Sequence, residues 1–173
     1  MNLSLMRPTL LLEKEFKTAI KDFRINGEKD IEGLYNHCGE NFQEYVLQTQ
    51  LIEAGKTFTN MIVPFSTYWT NLDQKRIIGF SHIRHYLTPA LRIEGGHIGY
   101  SICPSERQKG YGKQQLQLII NECQNININE ILITCDFDNV ASYKIIEANG
   151  GIKIGEAISP RSKKVVFHYQ INL

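Results

Sequence analysis

Residues 97–135 read as a strand, a helix and a second strand, and that order leaves few folds open. Residues 97–103 form an extended candidate that stops at Pro104. In residues 110–123 the apolar side chains Leu116, Ile119, Ile120 and Cys123 recur at i, i+3, i+4 and i+7, the period of an amphipathic helix. Residues 131–135, Ile-Leu-Ile-Thr-Cys, are almost continuously apolar and short, the pattern of a strand buried on both faces. Two strands joined through a helix become parallel neighbours with a right-handed crossover.

Antiparallel partners flank this unit. Residues 61–70 and 76–85 are extended candidates separated by the polar break Asn71-Leu72-Asp73-Gln74, and residues 152–158 and 164–171 alternate around Ser159-Pro160-Arg161-Ser162. Both pairs predict hairpins. Residues 12–24 and 42–54 have helical periodicity, the second stopped by Gly55, and residues 139–148 predict a helix closed by Gly150-Gly151. With no repeat and no linker-like stretch, the 173 residues predict one domain, with a helical part over residues 1–60 and a sheet over residues 61–173. The fold class is α/β, a mixed sheet with helices on both faces.

Apolar residues make up 42% and the net charge is +1, so the balance is that of an ordinary globular chain and gives no reason to expect nucleic acid or a membrane surface as partner. No apolar run is long enough to span a bilayer, and the first twelve residues lack the pattern of a secretion signal. Cys38, Cys103, Cys123 and Cys135 form no CxxC pair and lie in or near apolar runs, which predicts reduced thiols and a cytoplasmic location.

Chemistry concentrates in Arg107-Gln108-Lys109-Gly110-Tyr111-Gly112-Lys113, between the first strand and the helix. A helix N-terminus offers unpaired N–H groups and the positive end of the dipole, and glycines let phosphate oxygens reach the backbone. Arg107, Lys109 and Lys113 add charge. The stretch fails the Walker pattern, and Gln115 stands where a dinucleotide fingerprint needs its third glycine. What remains is R-x-x-G-x-G, which reads as a pyrophosphate cradle before it reads as a glycine-rich turn that only caps the helix.

That loop resembles the acetyl-CoA loop of the GNAT family of N-acetyltransferases. Asn139, Ser142 and Gly150 also match the family's N-x-x-[AS] with a glycine eleven residues after the Asn, although Asn139 is equally suited to cap a helix. The runs Ile77-Ile78-Gly79-Phe80 with Arg84, and Gly95-Gly96-His97-Ile98-Gly99-Tyr100, are similar to an uncharacterised bacterial branch of the family; the resemblance covers residue 63 onward.

The resemblance implies a mixed, mostly antiparallel sheet whose central parallel strand pair is splayed for acyl-CoA. It implies acetyl-CoA as co-substrate and no metal. Backbone groups of Ser101, Ile102 and Cys103 would pair with the pantetheine arm. Residues Arg107, Gln108, Lys109, Gly110, Tyr111, Gly112 and Lys113 would hold the pyrophosphate, with Asn139 and Ser142 facing the cofactor. A small-molecule or peptide amine would attack the thioester directly, and a homodimer is an assembly family members often adopt. One position departs: the family's Tyr acid, seven residues after the Asn, is Ile146, and Tyr143 lies one turn earlier. His97, at the head of the first strand, is the candidate base. His82 and His85 are three apart on a strand and predict opposite faces, not a metal pair, and His37-Cys38 is too isolated for zinc. Tyr68 and Trp69 are candidate core residues, and Glu94 is a candidate contact for a cationic acceptor. Two other readings compete with an acetyltransferase: a CoA-binding sensor module on the same fold, and an unrelated phosphate-binding domain.

Overall fold

The computed structural model describes residues 2–28, 41–56 and 62–173. His37 and Cys38 lie outside them. Two antiparallel sheets stand side by side. The first holds β1 (Leu3–Met6), β2 (Phe65–Leu72), β3 (Arg76–Arg84) and β4 (Ile98–Ile102) in that order; the second holds β5 (Glu130–Asp136), β7 (Val165–Asn172) and β6 (Ile152–Ile158), with β7 in the middle. Helices α1 (Glu13–Ile25) and α2 (Phe42–Glu53) precede β2, and the five-residue helix α3 (Pro89–Ile93) joins β3 to β4. Helix α4 (Tyr111–Asn125) connects β4 to β5, and α5 (Val140–Glu147) connects β5 to β6. This is the expected α/β class, with β4 and β5 on the facing edges of the two sheets.

Each face of the first sheet carries its own core, and strand alternation decides which residue goes where. Tyr68 and Ile83 join Leu116, Ile119 and Cys123 of α4, Ile131 and Ile133 of β5, Ile146 of α5 and Tyr169 of β7. On the other face Trp69 and Phe80 join Phe16 and Phe23 of α1 and Phe42 and Tyr45 of α2. Trp69 is fully buried, its indole N–H donates to the Tyr45 hydroxyl at 3.2 Å, and the two rings stack 6° from parallel. The core expectation for Tyr68 and Trp69 therefore holds.

Two elements depart from the sequence pattern. Strand β1 has only four residues, and Arg7-Pro8 interrupts its alternation; it pairs Leu3 to Leu72 through Met6 to Trp69. The β2–β3 turn lies at Asp73-Gln74, not across the whole polar break, because β2 continues through Asn71 and Leu72. Asp73 and Gln74 both have positive φ (53° and 55°) and Lys75 N–H donates to Leu72 O at 3.1 Å, the mirror-image turn whose twist suits a hairpin. Among the described residues no helix is long and apolar enough to cross a membrane.

The backbones of the two sheets are tied where the start of β4 meets β5. His97 N–H donates to Leu132 O at 2.7 Å, and Leu132 N–H donates to His97 Nδ1 at 3.0 Å. Gly96, at φ +60°, makes the approach possible: a Cβ there would stand 2.5 Å from Leu132 O. Beyond this clasp no ladder joins β4 to β5 among the described residues. Because the imidazole satisfies a partly buried backbone donor, His97→Ala should cost about 1–3 kcal/mol, the penalty for an unpaired buried N–H. Urea unfolding of the variant measures it, and His97→Asn, which keeps an acceptor on the side chain, should recover part of the loss.

Candidate active site

Past the clasp, the gap between β4 and β5 opens into a cleft of about 690 Å³. Strand register decides which backbone groups face it. Arg84 N–H donates to His97 O and Cys103 N–H donates to Ile78 O, each at 2.8 Å, and the intervening register has no shift. Pairs exchanging hydrogen bonds alternate with pairs that do not. Ser101 and Gly99 therefore spend their backbone groups on β3, while those of Tyr100 and Ile102 point toward the gap. Ile102 O is taken by Arg107 Nε at 3.0 Å, leaving its N–H.

This corrects the expectation for Cys103. Its N–H is bonded to Ile78, its carbonyl accepts from Glu106 N–H, and its side chain is buried at 2% exposure with the α1–α2 core. Burial, with Asp22 and Glu106 nearby, pushes its thiol up to about 12. Ser101 lines the cleft, but its carbonyl is on β3 and also accepts from Gln115 Nε2 at 3.1 Å.

The basic loop forms the cleft's far end. Gln108 and Gly110 both take left-handed backbone (φ 62° and 81°), a geometry that turns successive N–H groups to one side. Gly110 caps α4 with no side-chain hydrogen bond and no acidic residue follows in the first turn, so the positive dipole end of α4 is turned to the cleft with no carboxylate on its own first turn. Gln108, Gly110, Tyr111, Gly112 and Lys113 all line it. A Cβ on Gly112 would sit 2.8 Å from Ile145 Cδ1, so this glycine also lets α5 pack close.

Two of the loop's cations serve the loop itself. Lys109 Nζ bonds Ser105 O and Glu106 Oε2, both at 2.9 Å, and does not line the cleft. Glu106 is buried and also accepts from Arg76 at 2.6 Å; burial alone would raise its carboxyl, but the Lys109 and Arg76 hydrogen bonds win and lower it. Arg107 reaches the cleft but is held in a bidentate pair with Glu28 at 2.6 and 2.8 Å. Lys113 also lines the cleft, and its ammonium is bonded to none of the described residues.

Helix α5 supplies the opposite wall. Asn139 Oδ1 accepts from Ser142 N–H at 3.1 Å, the expected N-cap, while both side chains also line the cleft. Tyr100, absent from the sequence-derived site, reaches across the gap: its hydroxyl lies 3.0 Å from Ser142 Oγ and 3.3 Å from Ser142 O. Burial raises that hydroxyl to about 12, with Ser142 pulling the other way. Ile146 is fully buried, and Tyr143 turns toward Phe167, 6.4 Å between ring centroids, without lining the cleft.

A second cavity, about 290 Å³, lies on the other side of the same wall and shares Tyr100, Asn139 and Ser142 with the first. His82, Arg84, Glu94, Asp136 and Arg161 also line it. Glu94 accepts from Ser159 Oγ at 2.6 Å and pairs with Arg161 at 2.9 Å, so the turn between β6 and β7 is tied across its rim. His97 is in neither cavity. With Nδ1 accepting from Leu132, the neutral ring carries its proton on Nε2 and has no second lone pair, so the expectation that His97 is the base does not survive. His85 bonds Ser66 Oγ at 2.9 Å, and His82 and His85 do not converge. Among the described residues no His, Cys, Asp and Glu cluster could hold a metal.

Comparison with known proteins matches this architecture. No curated protein matches the chain significantly. Among solved structures, the microcin C7 self-immunity acetyltransferase MccE, bound to acetyl-CoA and AMP, superposes with a TM-score of 0.68 at 15% identity over 99% of this chain and 92% of its own. RimL, a ribosomal L7/L12 α-N-protein acetyltransferase bound to coenzyme A, gives 0.69 at 15% identity over 100% and 95%. The aminoglycoside acetyltransferase AAC(6′)-Ib with coenzyme A gives 0.64 at 13% over 99% and 95%. These likenesses establish the fold. The sequence profile of the acetyltransferase (GNAT) domain matches residues 24–152, most of the chain, and the protein belongs to the GNAT acetyltransferase family.

Proposed function

We propose that the protein moves an acetyl group from acetyl-CoA to a primary amine by direct attack, with the donor in the larger cavity and the acceptor in the smaller one. The observation that carries this reading is the shared wall: Tyr100, Asn139 and Ser142 border both cavities. A thioester entering from the loop side and an amine entering from the His82 side meet there. Alignment of two bound reactants is itself a large part of the acceleration. The N–H of Tyr100, pointed into the gap by register, is placed to polarise the acetyl carbonyl.

Acceptor size follows from the smaller cavity. About 290 Å³ admits one compact amine-bearing group, a side chain, an N-terminal residue or one sugar amine, with the rest of the acceptor outside. RimL and AAC(6′)-Ib bear the names of acceptors of very different size, a ribosomal protein and an aminoglycoside, so this family likeness leaves the natural amine open. One observation favours the sensor-module reading: the only α5 tyrosine faces Phe167 and not the donor cleft. Release of free thiol from acetyl-CoA in the presence of amines separates the readings; tight CoA binding with no thiol release from any amine supports the sensor module.

Two measurements test the donor site. Coenzyme A at 100 times its dissociation constant should stabilise the fold by about 2.7 kcal/mol, while NAD and ATP at equal concentration should do far less. A thermal-shift titration reads this, and no shift with coenzyme A would remove the donor assignment. Gly112→Asp places a carboxylate at the α4 N-terminus facing the cleft and should abolish that shift while circular dichroism stays native. Gly112→Ala is the volume control: its Cβ meets only the movable tip of Ile145, so coenzyme A binding should weaken far less.

A further inference from the structure

His82 lines the smaller cavity from β3, one strand away from the gap. Its ring packs against Gly99 of β4, its cross-strand partner. A Cβ on residue 99 would stand 2.6 Å from Nε2 and 3.1 Å from Nδ1, inside van der Waals contact. Gly99 has no left-handed backbone to explain it, so in this strand the glycine makes room for the ring. Phe65 closes another side, 5.5 Å between ring centroids. Among the described residues, neither ring nitrogen of His82 has a hydrogen-bond partner, whereas the rings of His85, His97 and His168 each have one.

We propose that His82 is the group that takes the proton from the acceptor amine, an inference that rests on the acetyl-transfer reading of the two cavities. The amine enters uncharged. Its nitrogen lone pair forms the C–N bond to the acetyl carbon, and the C–S bond breaks with its electron pair on sulfur. The N–H proton passes to a ring nitrogen of His82 and from there to water; the departing thiolate takes its proton from solvent. The titratable and charged groups that share its cavity are Arg84 on β3, Glu94 before β4, Tyr100 on β4, Cys135 and Asp136 on β5, and Arg161 beyond β6, with Arg84 the one whose charge acts on the ring. Burial, then the charge of Arg84, hold the imidazole at about 3, so it is uncharged at any ordinary pH and its lone pair is always available. A weak base suffices because the nitrogen, once acylated, is far more acidic than an alkylammonium.

The 173-residue chain, acetyl-CoA and n-propylamine at high concentration give the test without knowledge of the natural acceptor. His82→Ala should lower amine-dependent thiol release ~10²-fold or more, with coenzyme A affinity unchanged by titration. Gly99→Ala, which displaces the ring, should reproduce the loss. Added imidazole should restore part of the His82→Ala rate, a rescue that a merely structural role would not give. The wild-type rate at fixed total amine should climb tenfold per pH unit toward the amine's own pKa, roughly that of lysine at ~10.4, with no break in the histidine range. In the coenzyme A complex, the ring signals of His82 should move when n-propylamine is added while those of His97 stay fixed. Wild-type turnover matched by a folded His82→Ala, or a His82 signal that ignores the amine, overturns the proposal. Coenzyme A binding with no wild-type thiol release overturns the acetyl-transfer reading instead, and the ring signals still decide whether His82 meets the amine.

Discussion

Everything at the site depends on β4 and β5 being joined at one end and separated at the other. His97 and Leu132 hold the joined end with a backbone hydrogen bond and a side-chain one. Were the ladder to continue, the N–H and C=O groups of Tyr100 and Ile102 would be consumed by β5, and no extended ligand could lie between the strands. Opening a sheet leaves backbone groups unpaired, which is costly unless water or a ligand takes them. The fold limits that cost by satisfying the outer edge of each strand, β4 by β3 and β5 by β7, so only the inner edges are open. The gap is then spanned at side-chain level by Tyr100 reaching Ser142.

Charge around the donor cleft follows a related division of labour. A loop with Arg107, Lys109 and Lys113 looks, as composition, like three cations for a pyrophosphate. In the folded chain Lys109 neutralises buried Glu106, and Arg107 is shared between Ile102 O and Glu28. Their contribution is to fix the loop, while the start of α4 and Lys113 line the cleft in which the proposed pyrophosphate would lie. Such an arrangement favours geometry over net charge, in keeping with an overall charge of only +1. Gln115 extends the same rigidity inward: its buried amide donates to Thr70 Oγ1 on β2, Phe80 O on β3 and Ser101 O on β4, fixing the helix that carries the loop to the strand that lines the cleft.

What could be read from the sequence was whatever depends on period and local chemistry. The helix of residues 111–125 and the buried strand of residues 130–136 announce themselves through apolar spacing, and the glycines at 110 and 112 mark the loop. Asn139 is legible twice, as a cap and as a cleft residue, because both roles use the same position. Features decided by partners were not legible. Strand β1 is too short to show alternation, and α3 has a proper Thr88 cap and Pro89 start but only five residues. Assigning Cys103 rather than Tyr100 to the cleft was a question of register parity, which a one-residue change inverts.

The histidines show the same limit most sharply. His82 and His97 both sit on strands bordering the gap, and sequence position favours His97 because it heads the strand nearest the cofactor. A base is defined by an available lone pair, and availability is a property of the neighbours. The lone pair of His97 is spent on an amide of β5, which gives the two sheets their hinge point. His82 has its ring kept clear by a glycine on the adjacent strand and its charge suppressed by burial. The two roles are mutually exclusive, since a histidine that closes the sheet cannot also accept a proton, and one that must accept a proton cannot be tied into the sheet.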